Sequence, residues 1–277
     1  MHGEKLVFCN MLALFNILGA LATSRFSNEF PGLTLFDSGV NTSYENYAML
    51  SMCQSSDPHG EAENFSRRKL KDAIEFGLEF FSRAASPHIW PLFGWVPDDV
   101  CSLLERAQLR RDEDFYAMTA DTSLSVAGET RFDTAAEYPL RDMERVREWA
   151  SSAWYAFDSD DTAPEEYISY ALNMASCGEI SLMLLRSASA GGAPPLAAAT
   201  GMLCVSGDSG GIYNVATLPE YRRRGLAMIV VRELIRAAHD AGVDQVSLLA
   251  TPVGRPLYLR CGFRDVGRVK IFVSSTD

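Results

Sequence analysis

The most specific part of the chain runs from residue 211 to residue 227 and reads GIYNVATLPEYRRRGLA. Apolar residues up to Thr217 predict a β-strand, which ends before Pro219. From Leu226 onward apolar residues recur at helical spacing, and Gly242 is typical of the residue that ends a helix. The stretch therefore predicts a strand, a tight turn and an amphipathic helix in immediate succession.

The turn between this strand and this helix has the features of an anion site. The first N–H groups of a helix have no partner within the helix, and they lie at the positive end of its dipole. Gly225 permits close approach of the backbone to a bulky phosphate, and Ala227 keeps the next contact small. Positive charge comes from Arg222, Arg223 and Arg224. The turn predicts a phosphate-containing ligand, the alternative being that the three arginines are a solvated surface run.

Two established phosphate-binding patterns are excluded, because the stretch contains neither GxxxxGK[ST] nor GxGxxG. The pattern Arg222-x-x-Gly225-x-Ala227 instead closely resembles the pyrophosphate-binding signature of GCN5-related N-acetyltransferases, the GNAT superfamily. A second element, PLYLRCGF at residues 256–263, is similar to the LYxxxGF ending of the same family. The two elements stand in the order that the family expects.

The resemblance implies an N-acetyltransferase that moves an acetyl group from acetyl-CoA to a primary amine by direct attack in a ternary complex. It implies that Tyr258 is the general acid that protonates the departing CoA thiolate. That role makes chemical sense, since an amine attacks a thioester, an oxyanion forms and a thiolate must leave. The alternative for Tyr258 is a packed ring with its hydroxyl at the rim of the core. No metal and no cofactor besides acetyl-CoA is implied.

The cofactor-binding residues also follow from the resemblance. In the family, the strand ahead of the turn binds the pantetheine arm through its backbone, and the loop cradles the diphosphate with N–H groups. The corresponding residues here are Val215, Ala216 and Thr217 on the strand, and Arg222, Arg223, Arg224, Gly225, Leu226, Ala227 and Met228 in the loop.

Two departures from the family concern the general base. Many relatives carry a Glu on the strand after the CoA-binding helix, where this chain has Leu249, and the Asn often found before the last short helix is missing. A water chain to a backbone carbonyl, or a carboxylate such as Glu179, are the alternatives for deprotonating the amine. The departures also support a second hypothesis, a CoA-binding or sensing module without transferase activity.

The second half of the chain predicts an α+β domain with a mixed sheet. The resemblance extends from residue 124 to residue 277, which we expect to be the acetyltransferase domain that binds acetyl-CoA. Its border lies in the polar stretch Asp121–Thr130. The expected helices are 140–157, 164–176 and 226–241, and the expected strands are 180–185, 196–205, 211–216, 245–250 and 266–273, with a short helix before the last strand.

Residues 1–123 predict a smaller α/β domain. The expected elements are a helix over 66–84, a strand over 89–96, a helix over 97–107 and a strand over 115–120. An Arg-x-x-Gly-x-Gly/Ala turn is absent from this half. The order is nevertheless similar to the degenerate N-terminal half of tandem GNAT proteins, in which one half binds CoA and the other helps to shape the acceptor cleft.

The first segment, Leu6–Thr23, is an apolar run behind Lys5. Asn10 and Asn16 interrupt it, and its apolar residues follow helical spacing, so an N-terminal helix that is buried or amphipathic is favoured over a cleaved secretory signal. A secreted protein with a cleaved N-terminus is the alternative.

Composition limits the remaining function classes. The 277 residues are 47% hydrophobic and 22% charged, which is ordinary for a globular protein. A formal net charge of −11 argues against wholesale binding of nucleic acid or of an anionic membrane. It favours a cationic acceptor instead, such as a polyamine, an amino sugar or a Lys side chain of a peptide. Six cysteines without a CxxC pair or a metal-binding spacing predict reduced thiols in a cytoplasmic protein.

Some chemically interesting side chains are more typical of packing. Trp149, Trp154 and Tyr155 lie where relatives place acceptor-binding elements, but aromatic residues at helical spacing are more often core. Cys261 has no neighbouring His partner and is interpreted as a packed thiol.

Overall fold

The computed structural model describes residues 2–21, 24–51, 67–124, 134–138, 140–158, 162–187 and 196–274. Within those ranges the chain forms helices and strands in mixed order. The helices are α1 (His2–Leu18), α2 (Arg67–Ser82), α3 (Asp99–Arg106), α4 (Met143–Asp158), α5 (Glu165–Ser176), α6 (Leu226–Asp240) and α7 (Arg255–Arg260). The strands are β1 (Arg25–Ser27), β2 (Leu33–Asp37), β3 (Asn46–Leu50), β4 (Ile89–Leu92), β5 (Arg110–Arg111), β6 (Phe115–Asp121), β7 (Thr134–Glu137), β8 (Ile180–Ser187), β9 (Leu196–Ser206), β10 (Ser209–Thr217), β11 (Gln245–Ala250) and β12 (Arg264–Val273).

The chain divides into two compact units. Unit 1 contains Phe15–Tyr116 and the chain from Gly267 onward, and unit 2 contains His2–Leu14 and Ala117–Val266. The border expected at residue 124 therefore falls inside unit 2, and residues 125–130 of the polar stretch lie outside the described residues. Chain order alone could not show that the first helix packs with residues that come much later.

Unit 2 is built on a largely antiparallel sheet that contains one parallel pair of strands. Strands β7, β8, β9 and β10 are antiparallel neighbours, whereas β10 and β11 are parallel. Helix α6 packs closely on this sheet at Gly201, where an added Cβ would lie 2.5 Å from Val230 Cγ1. Arg186 of β8 is buried and is bound by the carboxylates of Glu137 and Glu148, which tie α4 to the edge of the sheet.

Unit 1 repeats part of the same order of elements. Strands β1, β2 and β3 are antiparallel, helix α2 follows, and β4 is parallel to β3. The next elements are the short helix α3 and strand β5, and β12 pairs with β4 from Lys270 to Val273. Its core includes Leu35, Ile74, Trp90 and Phe272, all at most 3% exposed. Three strands, a helix, a parallel strand and a short helix also occur in unit 2, as β8, β9, β10, α6, β11 and α7.

The expected α+β class with a mixed sheet is confirmed. The elements predicted for the second half are present within a few residues of their expected ends, and so are α2, β4, α3 and β6 in the first half. Strands β1, β2, β3, β5 and β7 were not predicted. Helix α1 is present where the sequence predicts a helix, with Val7, Phe8 and Met11 at most 4% exposed.

Two further features concern cysteines and membranes. The cysteines of the described ranges are free thiols, of which Cys204 and Cys261 are buried and Cys9 is exposed, and Cys53 lies outside those ranges. In the same part of the chain, every helix is too short or too polar to cross a membrane.

Candidate functional site

Strand β10 carries a bulge halfway along its length. Its register with β9 shifts between Tyr213 and Ala216, so two residues stand outside the regular ladder. One of them, Asn214, has a φ of 50°, in the left-handed region that Asn tolerates better than most residues. The carbonyl oxygen of Asn214 accepts a 3.2 Å hydrogen bond from the hydroxyl of Thr200, a buried residue of β9. The bulge is thus held by a defined side-chain contact.

Beyond its first residues, β10 parts from β11. The parallel register covers Ser209–Gly211 against Gln245–Ser247, whereas β10 continues to Thr217. The peptide groups on that edge of β10 are therefore available to an extended ligand, because backbone groups of a sheet edge seek partners. Thr217 at the end of the strand has a buried hydroxyl with no hydrogen-bond partner among the described residues.

The turn after β10 presents a row of unpartnered donors. A 3₁₀ turn, Pro219–Tyr221, leads into Arg223 and Gly225, whose φ values of 64° and 80° are both left-handed. Helix α6 begins at Leu226. Among the described residues, the N–H groups of 223–227 have no recorded acceptor, whereas the N–H of Met228 already bonds the carbonyl of Gly225. Successive N–H groups at the positive end of a helix form a concavity that suits an anion.

The three arginines of the turn differ in what they bind. The guanidinium of Arg222 donates to the carbonyls of Thr217 at 3.2 Å and of Ala156 at 3.0 Å. Arg224 donates to the carbonyl of Glu220 at 3.0 Å and lies over the ring of Tyr221. Arg223 is exposed and has no recorded partner in the described part of the chain. Two of the three side chains, Arg222 and Arg224, therefore stabilise the turn itself. This difference between the arginines could not be predicted from the sequence.

Tyr258 lies on the short helix α7, which both neighbouring segments stabilise. The Thr251 hydroxyl accepts a 3.1 Å hydrogen bond from the N–H of Gly254 just before the helix. After it, Gly262 has a φ of 92°, which turns the chain so that the ring of Phe263 meets Tyr258 edge-on at 5.8 Å. The sequence elements Leu-Tyr and Gly-Phe are thus two parts of one packing unit.

Tyr258 is partly exposed, and its surroundings disfavour the phenolate. Loss of solvent around the phenol raises the pKa of Tyr258 above its usual value, and Cys261 adds a smaller upward contribution. No hydrogen-bond partner of this hydroxyl is recorded among the described residues. Cys261 itself is 4% exposed, and burial raises the pKa of its thiol, so it is a packed and unreactive group as predicted.

The candidate carboxylate base is not brought to this site by any recorded contact. Glu179 is exposed and precedes β8, whose first residue Ile180 pairs with Cys204. Cys204 in turn pairs with Gly211, so Glu179 stands level with the start of β10 rather than with its bulge. Leu249 of β11 is partly exposed and supplies no titratable group.

The aromatic residues of α4 have different environments. Trp149 is fully buried and donates its indole N–H to the carbonyl of Gly201 at 3.2 Å, so it is a core residue. Tyr155 packs against the cluster of Ala156, Ala216 and Leu218.

Trp154 packs beside Tyr167, whose hydroxyl lies near the side chain of Asn214 in the bulge. Its ring is 5.2 Å from the ring of Tyr167, and its indole N–H is buried without a recorded partner in the described residues. The side-chain amide of Asn214 is 3.5 Å from the Tyr167 hydroxyl. Sequence reasoning missed Thr200, Tyr167 and Asn214, although an Asn within an otherwise apolar strand is a signal for a bulge.

No group of three or more His, Cys, Asp and Glu side chains in the described ranges is arranged to hold a metal ion.

Comparison with known proteins finds a family that part of the chain matches. The model of the acetyltransferase (GNAT) family matches residues 143–263. A curated relative, probable glucosamine 6-phosphate N-acetyltransferase 2 of Oryza sativa subsp. japonica, is 39% identical over 61 residues, which are 22% of this chain and 37% of that protein. The match thus spans about a third of the curated relative.

Two solved structures have a similar fold over nearly the whole chain. A GCN5-related N-acetyltransferase from Kribbella flavida superposes with a TM-score of 0.67 at 14% identity, covering 97% of this chain and 96% of that one. A tandem GNAT protein from the clavulanic acid biosynthesis pathway gives a TM-score of 0.59 at 11% identity, covering 99% and 95%. Residues 143–263 of this chain are a domain of the GNAT acetyltransferase family.

Proposed function

We propose that this chain transfers an acetyl group from acetyl-CoA to a primary amine by direct attack in a ternary complex. The observation that carries the proposal is the row of N–H groups at residues 223–227, which lack acceptors among the described residues and lie at the start of α6. An anion at this position satisfies donors that are otherwise left without partners.

The residues present fit acetyl-CoA. The diphosphate would accept hydrogen bonds from the N–H groups of 223–227, and Arg223 is the one guanidinium of the turn without a recorded partner in the described chain. The pantetheine arm would lie along the edge of Val215, Ala216 and Thr217, where β10 has left β11. Arg222 and Arg224 would act indirectly, by holding the turn in shape.

Tyr258 would complete the reaction. The amine nitrogen forms a bond to the thioester carbon, the carbon–sulfur bond breaks, and the leaving sulfur takes the proton of the Tyr258 hydroxyl. The Tyr258 phenol is protonated at neutral pH, and burial raises its pKa further. Because the leaving sulfur is less basic than a phenolate, the proton must move as the carbon–sulfur bond breaks. The phenolate recovers its proton afterwards from solvent.

Deprotonation of the amine is assigned to water rather than to a carboxylate. Leu249 cannot accept a proton, and Glu179 stands level with the start of β10. A water chain ending on a backbone carbonyl of the open β10 edge is the route that these positions favour.

The acceptor class rests on two arguments. The rice relative is named for glucosamine 6-phosphate, and its similarity to this chain covers 61 residues. The net charge of −11 favours an acceptor that carries positive charge beside its amine. The two arguments point to acceptors of opposite charge, since glucosamine 6-phosphate carries a phosphate. The first compounds to assay are therefore glucosamine 6-phosphate for the first argument, and a polyamine and a lysine peptide for the second.

We also propose that unit 2 is the acetyltransferase domain and that unit 1 is a degenerate copy of it. The support is the repeated order of three strands, a helix, a parallel strand and a short helix.

Calorimetric titration with acetyl-CoA tests the site. Gly225→Trp should abolish binding, because it fills the turn and forces a side chain onto a φ of 80°. The matched control is Gly242→Trp at the other end of α6, where φ is 79° and an added Cβ meets open space. Equal loss in both variants, or no binding by the unaltered chain, would remove the turn from cofactor binding.

A second function, CoA binding without transfer, is favoured by Leu249 in place of a carboxylate. Release of the CoA thiol with the three amines separates the two hypotheses. Tight binding of acetyl-CoA without any amine-dependent release would select the sensing module.

A further inference from the structure

Asn10 is a polar residue in the middle of the apolar helix α1, and it is 4% exposed. A buried amide is costly unless its hydrogen-bonding groups find partners. Asn10 has three: its Nδ2 donates to the carbonyl of Gly210 at 3.0 Å and to the hydroxyl of Ser247 at 2.7 Å, and its Oδ1 accepts from the hydroxyl of Ser209 at 2.7 Å. The side chain is therefore held in one orientation.

The partners of Asn10 lie on β10 and β11, the two strands that are paired over only three residues before they separate. Ser209 and Gly210 belong to β10, Ser247 belongs to β11, and all three lie in the short region where the two strands are paired. Immediately beyond this region the strands part. The Asn10 amide thus bridges β10 and β11 at the vertex, that is, in the short paired region from which the two strands diverge.

This bridge comes from outside the segment that the family model matches, which begins at residue 143. Asn10 nevertheless belongs to the same compact unit as β10 and β11. A contact that joins two strands at their vertex fixes their separation there, and a small change at the vertex grows along the diverging edges.

We propose that Asn10 is a positioning residue that sets the separation of β10 and β11 and so the geometry of the open edge that takes the pantetheine arm of CoA. The inference rests on the proposed function, because it concerns how that ligand is held. Asn10 does not touch the thioester; it acts through the two strands that it joins.

The test compares two probes in calorimetric titrations. CoA requires the open edge of β10, whereas adenosine 3′,5′-diphosphate keeps the nucleotide phosphates and lacks the pantetheine arm. Asn10→Leu keeps the approximate shape of the side chain and removes all three hydrogen bonds. Cys9→Ala, an exposed neighbour on the same helix, is the control for helix α1.

We expect Asn10→Leu to weaken CoA binding about tenfold, since loss of hydrogen bonds that hold a site is worth about one factor of ten, and to leave the other probe unchanged within about twofold. Ser247→Ala, which removes one of the three bonds, should show the same selective loss to a smaller degree. If Asn10→Leu does not fold, the Ser247→Ala variant alone tests the proposal.

Equal weakening of both probes, or unchanged CoA affinity in Asn10→Leu and Ser247→Ala, would overturn the positioning role. If the unaltered chain binds neither probe, the proposed function fails first, so the two failures are distinguishable.

Discussion

The hydroxyl of Thr200 donates a 3.2 Å hydrogen bond to the carbonyl oxygen of Asn214, which ties the bulge of β10 to its neighbour β9. Thr200 is fully buried, so solvent cannot replace this donor. The contact determines where the chain after the bulge, from Val215 onward, presents its free edge.

Thr200→Val should weaken acetyl-CoA binding about tenfold, because it leaves the Asn214 carbonyl without its donor at a cost of about 1–3 kcal/mol. Thr200→Ser keeps the hydroxyl and should retain affinity within about twofold. The measurement is the Kd for acetyl-CoA in both variants. A normal Kd in Thr200→Val would show that the bulge does not depend on this bond.

The elements that the sequence predicted share a clear periodicity. Helices α2, α4, α5 and α6 have one apolar face each, and this pattern is typical of a helix packed on a core. Strands β2 and β3 were missed because they are five residues long and their buried positions do not alternate, so no period-two pattern marks them.

Some features of the site depend on neighbouring residues and could be predicted from the sequence, whereas others depend on residues far apart in the chain and could not. Free N–H groups at the start of a helix follow from local sequence, so the turn could be predicted. The partner of Arg222 could not, because the Ala156 carbonyl lies 66 residues earlier. Asn10 is 200 residues from Gly210, and no local pattern connects them.

Arg222 and Arg223 should respond differently to replacement by Met. Arg222→Met removes two hydrogen bonds to backbone carbonyls, so we expect a lower Tm and weaker CoA binding at every salt concentration. Arg223→Met removes an exposed charge and should leave Tm unchanged, with a loss of about two- to fivefold in CoA affinity that shrinks as salt is added.

Thermal unfolding and CoA titrations at low and high ionic strength check both expectations. A salt-independent loss in Arg223→Met, or an unchanged Tm in Arg222→Met, would contradict the roles assigned to these two side chains.

Tyr258→Phe should lower kcat about a hundredfold, a typical contribution of a general acid, while the Kd for acetyl-CoA stays the same. Because burial raises the pKa of Tyr258, kcat of the unaltered enzyme should not fall through ionisation of this phenol below about pH 10, the ordinary tyrosine value. Steady-state rates from pH 6 to pH 10 test this, with Tyr155→Phe as a control for loss of a hydroxyl from a partly exposed ring. Equal rates for Tyr258→Phe and the unaltered enzyme would exclude Tyr258 as the acid.

His88 should make unit 1 sensitive to acid. Its ring stacks on Phe81 at 4.1 Å, its Nδ1 lies 3.0 Å from the Ser86 carbonyl, and its Nε2 is buried without a recorded partner in the described residues. Burial lowers the pKa of His88 below the usual 6.5, although the Ser86 carbonyl and Asp37 oppose the shift.

The sign of the effect follows from which state takes up the proton first. As pH falls below 6.5, the unfolded chain binds a proton at this position while the folded chain does not, so the free energy of unfolding decreases by up to about 1.4 kcal/mol per pH unit until the folded pKa is reached. Above pH 6.5 the contribution is constant. His88→Phe keeps a stacked ring and has no proton to gain, so its stability should fall less steeply between pH 7 and pH 5. Urea unfolding at these pH values checks it, with the exposed His239→Gln as control; parallel slopes in His88→Phe and the unaltered chain would show that His88 is not the group responsible.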